Sequence, residues 1–386
     1  MKQIAMIILA VAFAASLSCT DEKNGEIRVG GIFDLTGPTS ETGSMYANGV
    51  KGYIDYINEK GGINGRKVRL ISIDTAYLMA RDLAAYDRLK RENVHLIFGW
   101  STGSSEKIAP LVAKDRVPFT SVSFSMKLAD GSRTPYSFIM GPTYSEQIKI
   151  ALKYIRDNWK DAARKPRVAF LYNEKEYGRS PIPDGRAYAG KLGIDLVAED
   201  IVFLNAREAR EQMLRLREKR PDYVIVNNTA WPTYVVLRDA RKLGINAKFI
   251  GLIWSIDEKL NTLAGKDAEG FMGTAPFVAM DPTQPGVREI IDFNRRRGVD
   301  SDSVMFLYAV GWTSAKVMLE GVRRAGSDIS GENIRKQIEG IRNFSTGGIT
   351  DAYSFSENNH VGLHRLRLCR VTAGKWRPIT DFIGAE

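Results

Sequence analysis

Residues 94–122 read VHLIFGWSTGSSEKIAPLVAKDRVPFTSV. An apolar run, Val94–Phe98, breaks at a turn of small and hydroxyl residues; a segment of helical period, Ser104–Lys114, follows; Val117–Val122 is apolar again. Strand, turn, helix and strand in succession form a crossover unit. A strand apolar on both faces, rather than alternating, belongs in a parallel sheet covered by helices on both sides.

The same unit recurs outward from this stretch. Ile27–Phe33 and Lys67–Ile73 precede it as strand candidates, and a second series follows at Arg167–Tyr172, Leu196–Val202, Asp222–Val226 and Ala247–Leu252, with helical segments and Gly or Pro punctuation between them. The pattern predicts two doubly wound α/β lobes in one chain. Between the two series a helix carries Ile148, Ala151, Leu152, Ile155 and Trp159 on one face, and near the end a longer one carries Val304, Leu307, Tyr308, Gly311, Ala315, Met318 and Leu319. Both faces are core. A ligand belongs in the cleft between the lobes, on loops that follow strands.

Composition narrows the function. With 386 residues, 44% hydrophobic and 26% charged, the chain is neither disordered nor fibrous. Fifty-five Lys and Arg against 45 Asp and Glu give +10, but the charge is spread, without a polybasic block interleaved with aromatics, which argues against nucleic acid. Lys2 and the apolar Ile4–Ala15 read as a secretory signal over residues 1–18. Cys19 then becomes the mature terminus. Cys19 and Cys369 are the only cysteines, too few for a disulfide framework. His95, His360 and His364 complete no metal-ligand spacing, though His360 and His364 stand four apart, the second in an expected strand; no phosphate-cradling GxxxxGK[ST] loop occurs either, so neither a metal nor a cofactor is expected.

Gly99-Trp100-Ser101-Thr102-Gly103 matches the G-x-S-x-G elbow of serine hydrolases and lies between a strand and a helix. Ser101, Asp257 or Asp281, and His360 or His364 would complete a triad in the right order, but no HGGG-type oxyanion segment accompanies it. The alternative reading of this loop is an anion seat. Ser101, Thr102, Ser104 and Ser105 at a helix N-terminus offer hydroxyls and free backbone N–H groups, and Ser121, Ser123 and Ser125 follow the next strand on the same cleft.

Several stretches carry a family resemblance: Leu35-Thr36-Gly37-Pro38 after the first strand, then Ile57-Asn58-Glu59-Lys60-Gly61-Gly62-Ile63-Asn64-Gly65-Arg66, Asp74, Gly99 to Ala109, Tyr177-Gly178, Asp239-Ala240-Arg241-Lys242-Leu243-Gly244 and Ala268-Glu269-Gly270. Together they resemble the branched-chain amino acid binding proteins, the extracytoplasmic receptors of ABC importers, over nearly the whole mature chain. The resemblance implies a type I periplasmic-binding-protein fold, two lobes joined by a three-crossover hinge, and no catalysis. It places the first lobe at 27–142 and 275–347 and the second at 143–274 and 348–386. Ser16-Leu17-Ser18-Cys19 resembles a lipobox, implying a lipidated tether over 19–26, although Leu17 stands two residues before the cysteine rather than three. A monomer held at the membrane only by that lipid, and read by a permease, is the implied arrangement. A sensor subunit of a signalling receptor is the alternative.

Carried over residue by residue, the family's first-lobe ligand loops fall on Thr102, Gly103 and Ser104 and on Ser123, Phe124 and Ser125. Its second-lobe aromatics fall on Tyr177, Trp231 and Trp254, with Trp100 beside them; Thr42 stands where some relatives have Tyr. The position of the acid that holds a ligand ammonium in amino-acid receptors is here Ile253. Burying an ammonium without a partner costs several kcal/mol. Either Asp257, Asp34 or Asp281 substitutes, or the ligand is an aromatic or aliphatic carboxylate without an ammonium.

Overall fold

The computed structural model describes residues 25–277, 281–299 and 306–386; the expected signal segment, Cys19 and nearly all of the tether lie outside the described residues, as does Val304. The first sheet is laid down as β1 (Ile27–Phe33), α1 (Ser40–Glu59), β2 (Val68–Asp74), α2 (Met79–Arg91), β3 (Leu96–Gly99), α3 (Thr102–Asp115), β4 (Phe119–Ser121) and β5 (Ser137–Ile139). Its order is β2-β1-β3-β4-β5, parallel throughout. The turn between α1 and β2 holds Gly61, Gly62, Asn64 and Gly65 at positive φ, which is why the Gly-Gly-Ile-Asn-Gly sequence stands there.

The chain then crosses to a second sheet through α4 (Tyr144–Asp157). It continues as β6 (Arg167–Tyr172), α5 (Glu176–Arg179), α6 (Ile182–Lys191), β7 (Asp195–Ile201), α7 (Arg210–Lys219), β8 (Tyr223–Asn227), α8 (Ala230–Lys242), β9 (Lys248–Gly251), α9 (Glu258–Ala264) and β10 (Met272–Ala275). α4 begins at a reciprocal cap: Thr143 Oγ1 accepts from the Glu146 N–H while the Glu146 carboxylate accepts from the Thr143 N–H. Its buried face, Ile148, Ala151, Leu152 and Ile155, packs on Val168 and Phe170 of β6. Trp159 lies past the helix end at Asp157 but still packs against this cluster, with the Arg164 guanidinium over its other side.

Three helices return to the first core: α10 (Pro285–Arg296), α11 (Phe306–Ala325) and α12 (Gly331–Glu339). α11 crosses α1 at backbone contact. A Cβ on Gly311 would meet the Tyr46 carbonyl at 2.1 Å, and one on Gly49 the Tyr308 carbonyl at 2.1 Å. Residues 344–363 stay beside the first sheet, where Val361 bridges Ile139. The chain rejoins the second sheet only at β11 (Arg365–Thr372), followed by β12 (Lys375–Pro378) and β13 (Ile383–Gly384).

The second sheet has the order β12-β11-β10-β9-β8-β6-β7, with β13 also on β11. The two doubly wound lobes are as expected, and three passages of the chain join them. The second lobe's sheet is not parallel throughout, however: β11 runs against β10, and β12 and β13 run against β11. A strand joined to the next by so short a turn as Ala373–Gly374 can only pair antiparallel. His364, expected inside a strand, immediately precedes β11. No helix among the described residues is long and apolar enough to cross a membrane.

Candidate ligand-binding cleft

Loops at the carboxyl ends of both sheets' strands converge on one chamber. From the first lobe come Thr39 and Thr42 after β1, Tyr77 after β2, Trp100, Ser101 and Thr102 after β3, and Val122 after β4. From the second come Tyr177 after β6, Thr229 after β8, and Ile253, Trp254, Ile256 and Asp257 after β9, with Tyr144 and Leu307 closing the ring. The chamber and its mouth hold about 470 Å³ of space not occupied by protein atoms, part of it open to solvent.

Buried carboxylates set the first-lobe wall. Asp34 accepts from the N–H groups of Gly37 (2.6 Å) and Thr39 (2.8 Å) and from Thr39 Oγ1 (2.6 Å), and Thr39 Oγ1 accepts the Trp100 indole N–H at 2.8 Å. Asp34 therefore orients Trp100 through Thr39. Ala76 and Tyr77 stand at φ 50° and 60°, a conformation that residues with a Cβ seldom adopt, and this turn delivers the Tyr77 side chain to the chamber. At the start of α3, Ser101 is the N-cap residue but its side chain makes no capping bond.

The second-lobe wall is aromatic. Trp254 stacks on Phe124 (centroids 5.6 Å, 20°), lies 6.0 Å from Trp100, and donates its indole N–H to the Tyr144 hydroxyl at 2.8 Å. Gln147 holds the loop beneath it, accepting from the Ile253 N–H at 3.1 Å and donating to the Pro142 carbonyl at 2.8 Å. The Tyr177 hydroxyl is buried without a hydrogen-bond partner among the described residues, and burial pushes its pKa well above the ordinary phenol value. Asp257 is 4% exposed and among the described residues accepts only from the Lys259 N–H, at 3.0 Å, and burial raises its pKa.

Of the residues expected at the site, Trp100, Thr102, Tyr177, Ile253 and Trp254 line the chamber, and Phe124 backs Trp254. The other hydroxyls are committed elsewhere. Ser104 donates to Asp82, Ser125 donates to Glu106 (2.7 Å), and buried Ser123 lies outside the lining. Gly103 points toward Met79 and Glu176 at the rim. Trp231 is 44% exposed and donates to the Ala206 carbonyl, away from the chamber. Each residue along a helix turns about 100°, so it is Thr229, the cap of α8, that faces inward and not Trp231 two positions on. Among the candidate acids, Asp34 is spent on its own loop and Asp281 lies outside the chamber; Asp257 lines it.

Sequence reading missed Thr39, Tyr77, Val122, Tyr144, Thr229, Ile256 and Leu307 as lining residues. Of these Thr39 and Thr229 carried a local signal, each a threonine opening a helical segment after a strand.

The hydrolase triad does not assemble. His360 is buried between the Ser137 carbonyl (2.9 Å) and Glu339 (3.1 Å), His364 pairs with Glu146 (2.6 Å), and neither lines the chamber that holds Ser101. Ser101 has φ −65° and ψ 135°, an ordinary extended cap and not a strained elbow. Among the described residues no cluster of His, Cys, Asp and Glu could hold a metal ion. Cys369 is a free buried thiol, its pKa pushed up to about 11 by burial.

Two α/β lobes facing one another across an aromatic, hydroxyl-edged chamber define a class, the two-lobed solute-binding proteins. Residues 26–375 match the family described as periplasmic binding protein, and the chain belongs to that extracytoplasmic family. It is 25% identical over 339 residues to the leucine-specific-binding protein of Salmonella typhimurium, covering 85% of this chain and 88% of that one. A branched-chain amino acid ABC transporter structure from Thermus thermophilus with bound valine superposes with a TM-score of 0.87 at 25% identity, over 94% of this chain and 97% of that one. A fatty acid ABC transporter substrate-binding protein from Thermomonospora curvata shares the fold alone, with a TM-score of 0.81 at 17% identity over 93% and 92%. The chain is thus a substrate-binding protein of the branched-chain amino acid ABC transporter type and not an enzyme.

Proposed function

We propose that the chain captures a small carboxylate-bearing ligand, first of all a branched-chain amino acid, closes its lobes around it and presents it to an ABC permease. The observation that carries this reading is the pairing of groups in one chamber: Ser101 and Thr102 at the start of α3, and in the opposite lobe the Tyr177 hydroxyl, which has no hydrogen-bond partner among the described residues. A carboxylate would take the hydroxyls and the helix N-terminus, which favours negative charge. Asp257, buried beside Ile253, supplies the acid that an ammonium requires. Trp100, Trp254 and Tyr177 enclose the apolar body. In this reading Asp257, and not the fold, selects a ligand that carries an ammonium.

In this reading the lobes comprise 27–142 with 275–347 and 143–274 with 348–386, the last passage completed only at Arg365, and Cys19 anchors the mature chain by a lipid. A thermal-shift panel of leucine, isoleucine, valine, 4-methyl-2-oxopentanoate and phenylacetate tests the ligand. A ligand at about 100 times its Kd adds roughly 2.7 kcal/mol to the folded state. Stabilisation by the amino acids supports the proposal; stabilisation only by the two acids without an ammonium overturns the role of Asp257, and silence across the panel overturns the ligand class.

A further inference from the structure

Among the described residues, and apart from Arg365–Asp351 at the third crossover, two ion pairs cross from one lobe to the other, each beside chamber-lining residues. Lys127, in the turn after β4, reaches Glu106 of its own lobe at 2.8 Å and Glu176 of the other lobe at 2.8 Å. Glu176 immediately precedes Tyr177, a chamber residue. Lys259 of α9 pairs with Glu41 of α1 across the cleft, and these two adjoin or nearly adjoin Asp257 and Thr42, again chamber residues. Ser125, whose hydroxyl was expected to face a ligand, instead donates to Glu106 and so aims that carboxylate at Lys127.

We infer that Lys127 and Lys259 favour closure of the cleft, each clasping an acid of the opposite lobe. This rests on the two-lobe capture reading and goes beyond it, because it assigns part of the binding free energy to residues that touch no ligand. Glu106 keeps Lys127 positioned whichever way the lobes stand, so forming the Glu176 contact orders one carboxylate and not two long side chains. Exposed pairs are each worth little, but closure is an equilibrium, and small increments on both flanks multiply in the observed affinity. Because all four interlobe partners reach solvent, salt screens the clasp.

The test uses leucine as the probe, with Kd measured by calorimetry at about 0.02 M and about 0.5 M salt, on either side of the range in which exposed pairs are screened. Lys127→Met and Lys259→Met are each expected to weaken binding about two- to fivefold at low salt and little at high salt. The double variant loses the salt dependence, and the exchange Glu41→Lys with Lys259→Glu restores the parent value. Equal affinity in parent and variants at low salt, or a loss that salt does not alter, overturns the inference. If leucine does not bind the parent chain, the ligand reading fails, and the clasp is judged by pulsed electron resonance between spin labels at Arg88→Cys and Arg210→Cys. A more open distance distribution in the Lys127→Met, Lys259→Met background at low salt supports it; coincident distributions reject it.

Discussion

The indole N–H of Trp254 donates to the hydroxyl of Tyr144 at 2.8 Å, and the same hydroxyl lies 3.5 Å from Thr102 Oγ1 of the first lobe. Tyr144 opens the helix that follows the first crossover, so one phenol links the hinge, the second-lobe aromatic wall and the start of α3. Tyr144→Phe keeps the ring against Phe124 but leaves the indole without its acceptor. A loss of about 1–2 kcal/mol in urea unfolding is expected, together with weaker leucine binding. Unchanged affinity in the variant would show that the wall does not depend on this bond.

Asp257 is held at a cost that a ligand would relieve. Burial raises its carboxyl pKa, so the charged form is disfavoured in the folded chain. Asp257→Asn keeps the acceptor for the Lys259 N–H while removing the buried charge. The expected outcome is a higher melting temperature without ligand at pH 7 and loss of stabilisation by leucine. A variant that binds leucine as the parent does would remove Asp257 from the site.

Glu258 carries a related pH signature. Burial, and after it the charge of Asp257, raises its pKa from 4.5 to about 7. The folded chain therefore holds this proton over a range in which the unfolded chain has lost it. Its contribution to stability is full below about pH 4.5 and is lost as pH rises to about 7. Relative to the parent, Glu258→Gln should gain on the order of 1–3 kcal/mol across that window and then stay level, as read by urea unfolding at several pH values. A difference that does not vary with pH would contradict the assignment.

The cap at the first crossover is reciprocal, so Thr143→Ala should lower stability by about 1 kcal/mol with an unchanged denaturant slope. Glu146 also accepts from His364, which raises the imidazole pKa above 6.5. The contribution of that pair is present below about pH 6.5 and lost as pH rises through the raised value. His364 is half exposed, so His364→Asn should remove only a shallow slope from the stability profile near neutrality.

Gly311→Ala tests the crossing of α1 and α11. The added methyl would sit 2.1 Å from the Tyr46 carbonyl, a backbone atom that cannot yield without moving the helix. A loss of about 1–3 kcal/mol or more is expected, whereas alanine at Gly190, with nothing within 4 Å, should be neutral or mildly stabilising.

The sequence by itself determined the two lobes, because strands such as Ile27–Phe33 and Arg167–Tyr172 are apolar on both faces and their helices repeat at regular spacing. β5 and β10, of three and four residues, escaped it, because no long apolar run surrounds them and they become strands only by pairing with their neighbours. The loops that carry the cleft were also legible, since a doubly wound sheet presents the ends of its strands to one edge. Which side chains on those loops face the chamber was not. Ser104 and Ser125 are the right kind of residue in the right loops, but Asp82 and Glu106, each about twenty residues away in the chain, take their hydroxyls. Tyr144 and Leu307 reach the chamber because the chain passes between the lobes three times and brings distant segments to one point. A local pattern fixes which faces are apolar; partners brought together by tertiary packing decide which polar groups remain free to bind.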